Sequence, residues 1–369
     1  MSHSSILFNA VKLGNLELSN RIVMAPMTRN FSPNNIPTDN VVEYYRRRAA
    51  GGAGLILTEG TCIDHIAASG YPDVPYFHGE ERLAAWARVL EAVHAEGGKI
   101  APQLWHCGGM RKAGVMPEGD VPGYTPSGMN VPGKVNRHAM SIQDIDDVVQ
   151  SFARGAANAK QLGFDAVELH GAHGYLIDQF FWEGTNQRTD EYGGSMAKRS
   201  RFAIEIIKAA REAVGPDFPI LLRWSQWKSQ DFDAKLAKTP DELAEFLRPL
   251  VDAGVDIFHC STRRFWEPEF EGSDLNLAGW TKKLTGKPSI TVGSVGLDAD
   301  FIPLPGETAF RAGEPASLDN LIERTKNDEF DLVAVGRAML ANPEWPNMVK
   351  ENRSSELKAF TKEHLSALK

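Results

Sequence analysis

Cysteine is scarce in this chain. Its 369 residues include three, Cys62, Cys107 and Cys260, an odd number spread far apart. None has C-x-x-C spacing, so neither a disulfide framework nor an iron–sulfur cluster is indicated. Positive charge is also short: the net charge is −8 and no lysine/arginine tract offsets it, which argues against nucleic acid as the main partner. No apolar run reaches about 18 residues, and Met1 to Leu18 lacks a basic flank followed by an apolar core. A membrane span and a secretory leader are therefore both disfavoured, and a cytoplasmic location is expected. No Gly/Ser/Pro-type linker divides the chain, so a single domain over residues 1–369 is expected. The early Gly-x-Gly-x-x-Gly turn of many open dinucleotide-binding sheets is missing too.

What is present is an ordinary globular composition, 42% hydrophobic and 24% charged, at a length that suits one large α/β barrel. Short apolar runs at 21–27, 54–59, 99–105, 164–169, 220–225, 256–261, 288–292 and 330–335 read as buried parallel strands. Helical patterns separate many of them: one capped by Thr38 and ended by Gly51-Gly52, one over 80–96, one opened by Ser141 and Asp144 as a capping box, one over 195–214, and one begun by Thr239-Pro240. Eight such units predict a closed (β/α)8 barrel, with an open doubly wound sheet as the runner-up. Residues 13–18 alternate around Gly14-Asn15, the pattern of a small hairpin over the barrel floor. Residues 107–140 are Gly- and Pro-rich and read as an active-site loop. Residues 296–317 read as an extra loop, and the stretch after Pro346 as a helical tail that packs on the barrel or on a second subunit.

In a barrel the C-terminal strand ends share one face, so their residues converge. Here they are Thr28, Gly60, Gln103, His170, His173, Tyr175, Arg223, Gly293-Ser294 and Gly336-Arg337. The last two turns follow strands seven and eight, a common phosphate position. Their glycines let backbone N–H groups approach an anion, and Arg337 adds a charged contact. Gln103 offers a donor and an acceptor on one amide, which suits the edge of a heterocycle or a satisfied core position. Arg223 ends an apolar strand and needs an anion there, from the protein or from a ligand. His170 and His173 could ligate zinc. They lack i,i+4 spacing, however, and no convincing third ligand follows, since Glu168 on the same strand lies deeper. Two neutral imidazoles donating to one substrate oxygen, with Tyr175 as proton donor, fit the pattern better. A metal-dependent hydrolase using His170 and His173 is the competing reading.

The run from His170-Gly171-Ala172-His173-Gly174-Tyr175 to Tyr192-Gly193-Gly194-Ser195 resembles the Old Yellow Enzyme family of flavin-dependent ene-reductases. So do Asn20 to Arg29, Thr58-Glu59-Gly60, Gln103 to His106, and Val335-Gly336-Arg337. The resemblance implies an FMN-binding barrel that uses NADPH or NADH to reduce small activated alkenes. It implies that Pro26, Met27, Thr28 and Gly60 lie against the flavin, with Gln103 at its pyrimidine edge and Arg223 by N1/C2. Gly293, Ser294, Gly336 and Arg337 would hold the phosphate. His170 and His173 would bind the substrate oxygen, hydride would pass from flavin N5 to the β-carbon, and Tyr175 would protonate the α-carbon. No metal is implied, and a homo-oligomer is possible.

Three departures stand out. Trp224-Ser225-Gln226-Trp227 places bulky residues where the family often has Ser-Pro or Ser-Ala. Gly108-Gly109 stands where an arginine is common, and 296–317 is an insertion carrying apolar residues such as Phe301 and Ile302. Trp105, Phe181-Trp182 and Phe265-Trp266 are expected to narrow the substrate pocket, favouring flat cyclic enones.

Overall fold

A computed structural model describes residues 3–300 and 312–369. Eight parallel strands close into a barrel in chain order: β1 (Ile22–Met24), β2 (Leu55–Cys62), β3 (Lys99–Trp105), β4 (Val167–His173), β5 (Ile220–Lys228), β6 (Ile257–Ser261), β7 (Ser289–Val292) and β8 (Leu332–Val335), with β8 pairing back to β1. The helices that return the chain are α1 (Asp39–Ala50), α2 (Glu80–Ala95), α3 (Ile142–Leu162), α4 (Arg201–Val214), α5 (Pro240–Ala253), α6 (Leu277–Thr285), α7 (Asp319–Lys326) and α8 (Arg337–Ala341). The expected caps are present. Ser141 Oγ accepts from the Asp144 amide at 3.1 Å while Asp144 accepts from the Ser141 amide at 2.7 Å, satisfying two otherwise orphaned donors at the start of α3.

The lumen is built by strict period-two alternation. Val23 and Ala25, Leu55 and Leu57, Ala101, Ala166, Leu221, Ile257, Ile290 and Val292, and Leu332 and Ala334 form one buried cluster. Leu13, Leu16 and Leu18 from the antiparallel hairpin of Val11–Leu13 and Leu16–Leu18 join it, so the hairpin plugs the floor as its alternation predicts. Two residues further along the same inward-facing series, the side chains turn polar: Gln103, Glu168, Arg223 and His259, then His170 and Ser261. The chemistry therefore sits one layer above an apolar floor.

Several boundaries differ from the sequence reading. Strand β2 runs on through Gly60 to Cys62, β4 begins at Val167 and contains His170 to His173, and β5 continues to Lys228. Polar residues continue these strands because barrel neighbours satisfy their backbone groups. The stretch after β4 holds a short helix, Leu176–Phe181, and a separate turn of helix, Met196–Arg199, before α4. The tail is helical only over Trp345–Lys350, followed by single 3-10 turns at Ser354–Glu356 and Lys362–Leu365. Its backbone instead pairs elsewhere, with Phe360 exchanging both main-chain hydrogen bonds with Gly313. Of the expected 296–317 loop, residues 301–311, including Phe301 and Ile302, lie outside the described residues.

Candidate active site

Strand β4 delivers the histidines through an irregular edge. Two positions along β4, Gly171 to His173, face four along β5, Trp224 to Lys228. The bulge leaves His173 at φ +65°, a left-handed conformation held by its amide donating to Ser225 Oγ at 3.0 Å and its carbonyl accepting from the Ser229 amide at 3.2 Å. Gly174 follows at φ +78°, a conformation that favours glycine, and a Cβ there would have to displace the Gln230 amide, whose Oε1 would lie 1.9 Å away. Beneath it, Asp178 accepts the Gly174 amide at 2.7 Å and pairs with Lys228 at 2.6 Å, both side chains fully buried.

This turn brings four rings together. The His170 and His173 rings meet edge-on at 5.2 Å, Tyr175 lies 5.0 Å from His170 and 4.9 Å from Trp105, and Trp105 lies 6.2 Å from His170. Burial, reinforced by the Arg223 charge, pushes both imidazoles well below their usual pKa, so they are neutral. Burial pushes the Tyr175 phenol up, so it keeps its proton. His170 Nδ1 accepts from the Ala172 amide at 3.4 Å, which leaves Nε2–H as its donor. His173 Nε2 lies 2.7 Å from Ser261 Oγ.

His173 also borders a cavity of about 360 Å³ at the barrel mouth. Of the residues marked in sequence, Pro26, Met27, Thr28, Arg223, Gly293, Ser294, Gly336 and Arg337 line it as well. Its walls are apolar toward Ala25, Val292, Ala334 and Leu340, and cationic at Arg263 and Arg337. Gly293 sits at φ +145°, where a Cβ would come within 2.6 Å of Thr262 Oγ1 and 2.9 Å of the Arg264 amide. Arg337 donates to Ser294 Oγ at 3.0 Å and to the Ala299 carbonyl at 2.7 Å, tying the β7 and β8 turns together. Arg263 and Arg264 both pair with Asp300, at 3.0 and 2.8 Å. The guanidiniums of Arg263, Arg264 and Arg337 gather at this end, with Asp300, Glu267 and Asp298 among their carboxylate neighbours. Arg223 is buried, and its Nε has no hydrogen-bond partner among the described residues. A planar polar head over Arg223 with an anionic tail at the β7–β8 turns matches this layout.

Gly60, Gln103, Trp105, His170 and Tyr175 flank the cavity and do not line it. A Cβ on Gly60 would meet Trp105 Cε3 at 2.4 Å, so this glycine makes room for the indole. The Gln103 side chain donates to Glu168 at 2.7 Å. Of the other expected pocket aromatics, Phe181 packs on Phe246 of α5 and Phe265 meets Trp266 edge-on; Trp224, one of the bulky departures, also packs on Phe246. The Gly108-Gly109 stretch is braced by Arg111, fully buried, whose guanidinium donates to the carbonyls of Ser69, Val115, Glu118 and Val121.

Sequence reasoning missed four contributors. Tyr71 stacks on Trp105 at 5.5 Å, and its hydroxyl lies 3.2 Å from that of Tyr175. Trp227 stacks on His173 at 4.5 Å and lines the cavity. Ser261 ends β6, and reading that strand end as the others were read would have found it. Leu365 arrives from the tail, which Arg29 holds through the carbonyls of His364 and Ala367, both at 2.9 Å. Among the described residues no group of three or more His, Cys, Asp or Glu is arranged to hold a metal ion, and no helix is long and apolar enough to cross a membrane.

Comparison with known proteins agrees with this geometry. Residues 6–302 match the sequence model of the NADH:flavin oxidoreductase / NADH oxidase family. The chain is 35% identical over 368 residues to an NADH oxidase of Thermoanaerobacter brockii, covering 97% of this chain but about half, 52%, of that protein. It is 32% identical over 355 residues to 12-oxophytodienoate reductase 2 of Arabidopsis thaliana, covering 92% of this chain and 87% of the relative. Among solved structures, morphinone reductase in complex with tetrahydroNAD superposes with a TM-score of 0.80 at 29% identity, over 97% of this chain and 93% of that one. A polar mouth at the strand ends and this breadth of match lead to one assignment: the chain belongs to the NADH:flavin oxidoreductase / NADH oxidase family, the FMN-dependent Old Yellow Enzyme group.

Proposed function

We propose that this protein reduces the C=C bond of small α,β-unsaturated carbonyl or nitro compounds, drawing electrons from NADPH or NADH. The observation that carries the reading is the meeting of two neutral imidazoles and a protonated phenol beside a buried arginine. Bound FMN supplies the two-electron chemistry, accepting from the nicotinamide and delivering to the alkene. Arg223 Nε, which has no hydrogen-bond partner among the described residues, and the guanidiniums at the β7–β8 turns suit its ring and its phosphate. Pro26, Met27, Thr28 and Gly60 would bound the ring, Gln103 would meet its pyrimidine edge, and Gly293, Ser294, Gly336 and Arg337 would hold the phosphate.

The protein's own part is to bind, polarise and protonate. His170 presents Nε2–H and His173 presents its second ring nitrogen to one substrate oxygen. Two neutral donors withdraw electrons from the conjugated C=C bond without stabilising the ground state as a full charge would. Tyr175 holds the proton destined for the α-carbon, with Tyr71 as its hydrogen-bonded neighbour. Trp227 over His173 and Trp105 against Tyr175 leave a slot between flat walls, which supports cyclic enones over long acyclic substrates. Relatives named for reducing 12-oxophytodienoate and morphinone support reduction over hydrolysis, as does the engagement of the candidate metal ligands: His173 with Ser261, and Glu168 with Gln103 and His259.

An anaerobic absorption titration tests the reading. Flavin bands should bleach with NADPH and return on adding cyclohexenone. Bands that persist with both nucleotides would overturn the electron donor, and bleached bands that ignore a panel of enones and nitroalkenes would overturn the acceptor.

A further inference from the structure

Below the residues assigned to the flavin lies a polar group that alkene reduction does not itself require. The Glu168 and His259 side chains are fully buried inside the barrel. One Glu168 oxygen accepts from Gln103 Nε2 and the other lies on His259 Nδ1, each at 2.7 Å. Burial holds His259 below its usual pKa, so it is neutral, and as the Nδ1–H tautomer it donates to Glu168. His259 Nε2 has no hydrogen-bond partner among the described residues, so nothing else fixes that ring. Register sets these groups on adjacent levels: Gln103 stands opposite Glu168 across β3 and β4, and Arg223 stands opposite both His170 and His259 across β4, β5 and β6. The Glu168 charge acts on Arg223, favouring its protonated form against the cost of burial. Both groups proposed to meet the pyrimidine edge, the Gln103 amide and the Arg223 cation, therefore answer to one buried carboxylate.

We propose that Glu168, oriented by His259, is a positioning residue that fixes the Gln103 amide and offsets the Arg223 charge, and so holds down the reduction potential of bound FMN. A fixed cation near the ring favours the extra negative charge of the reduced flavin, and a fixed anion behind it opposes that charge. Glu168 claims Gln103 Nε2, which leaves Oε1 as the amide's acceptor. Removing the carboxylate charge leaves Arg223 uncompensated and raises the potential. The proposal rests on the flavin-facing reading of Arg223.

The test is spectroelectrochemical titration of holoenzyme, together with the FMN dissociation constant from fluorescence, for E168Q, E168D and R223M. E168Q keeps the shape, and its amide can still be bridged by His259 after a tautomer change. E168D keeps the charge and loses the contacts. A shift of the midpoint potential upward in E168Q but not in E168D is expected, with FMN affinity in either falling by about tenfold or less, the scale of one or two hydrogen bonds. R223M should move the potential downward. An unmoved potential in E168Q alongside a lowered one in R223M would overturn the proposal and leave the site reading intact. No movement in R223M would overturn the reading of Arg223 and the proposal with it. If E168Q fails to hold FMN, E168D decides: an upward shift despite its retained charge overturns the proposal, and an unchanged potential supports it.

Discussion

Tyr175 keeps its proton because burial disfavours the phenolate, and that is the state an acid needs before it is used. Y175F should slow the oxidative half-reaction with an enone by about a hundredfold or more while sparing flavin reduction by NADPH. Stopped-flow measurement of the two half-reactions checks this, and equal loss in both would remove the assigned role. A second buried acid acts on stability. Glu59 accepts the Arg29 amide at 3.0 Å, yet burial raises its pKa from 4.5 to about 7. An acid raised in the folded state binds more protons folded than unfolded between those values. Its contribution to stability therefore falls as pH climbs from 4.5 to about 7, by about 3 kcal/mol in all, and is flat above. Asp178, raised by burial to about 6, slopes the same way. Denaturation of E59Q across this range should show a flatter pH profile than wild type, and parallel profiles would assign the effect elsewhere.

At the scale of elements, the turn between β4 and its short helix depends on β5. Lys228 reaches back to Asp178, which holds the Gly174 amide, and so the positions of His173 and Tyr175 are set from the neighbouring strand. K228M should leave a buried, unpaired carboxylate and cost about 3–5 kcal/mol in denaturant unfolding. Adding D178N should recover part of that loss, because the amide oxygen still accepts from Gly174. The apolar runs made the strands legible, and Ser141 with Asp144 made the start of α3 legible, because those signals are local. The reach of β5 to Lys228 was not. Gln226 and Lys228 look like loop residues until partners from other elements bury them, with Gln226 satisfied by the backbone of 236–237 and Lys228 by Asp178.

Across the whole molecule, the strand-end rule found part of the cavity lining, since closure alone brings Thr28, Arg223, Gly293 and Arg337 to one mouth. It could not find Tyr71 or Leu365, which reach the site on segments without periodic pattern. Nor could it separate Trp227, in the cavity, from Trp224, in the core: positions an odd number apart on one strand face opposite sides, and the extended length of β5 carries that alternation to Trp227. Leu365 has a further bearing. Arg29 and His364 are bonded across 335 positions of chain, and Arg48 reaches the Lys369 carbonyl. The wall that Leu365 adds is carried by no strand of the barrel; it is moored to the loop after β1 by two main-chain acceptors. Closing the barrel and completing its mouth are therefore separate tasks, the first done by strand pairing and the second by a moored tail.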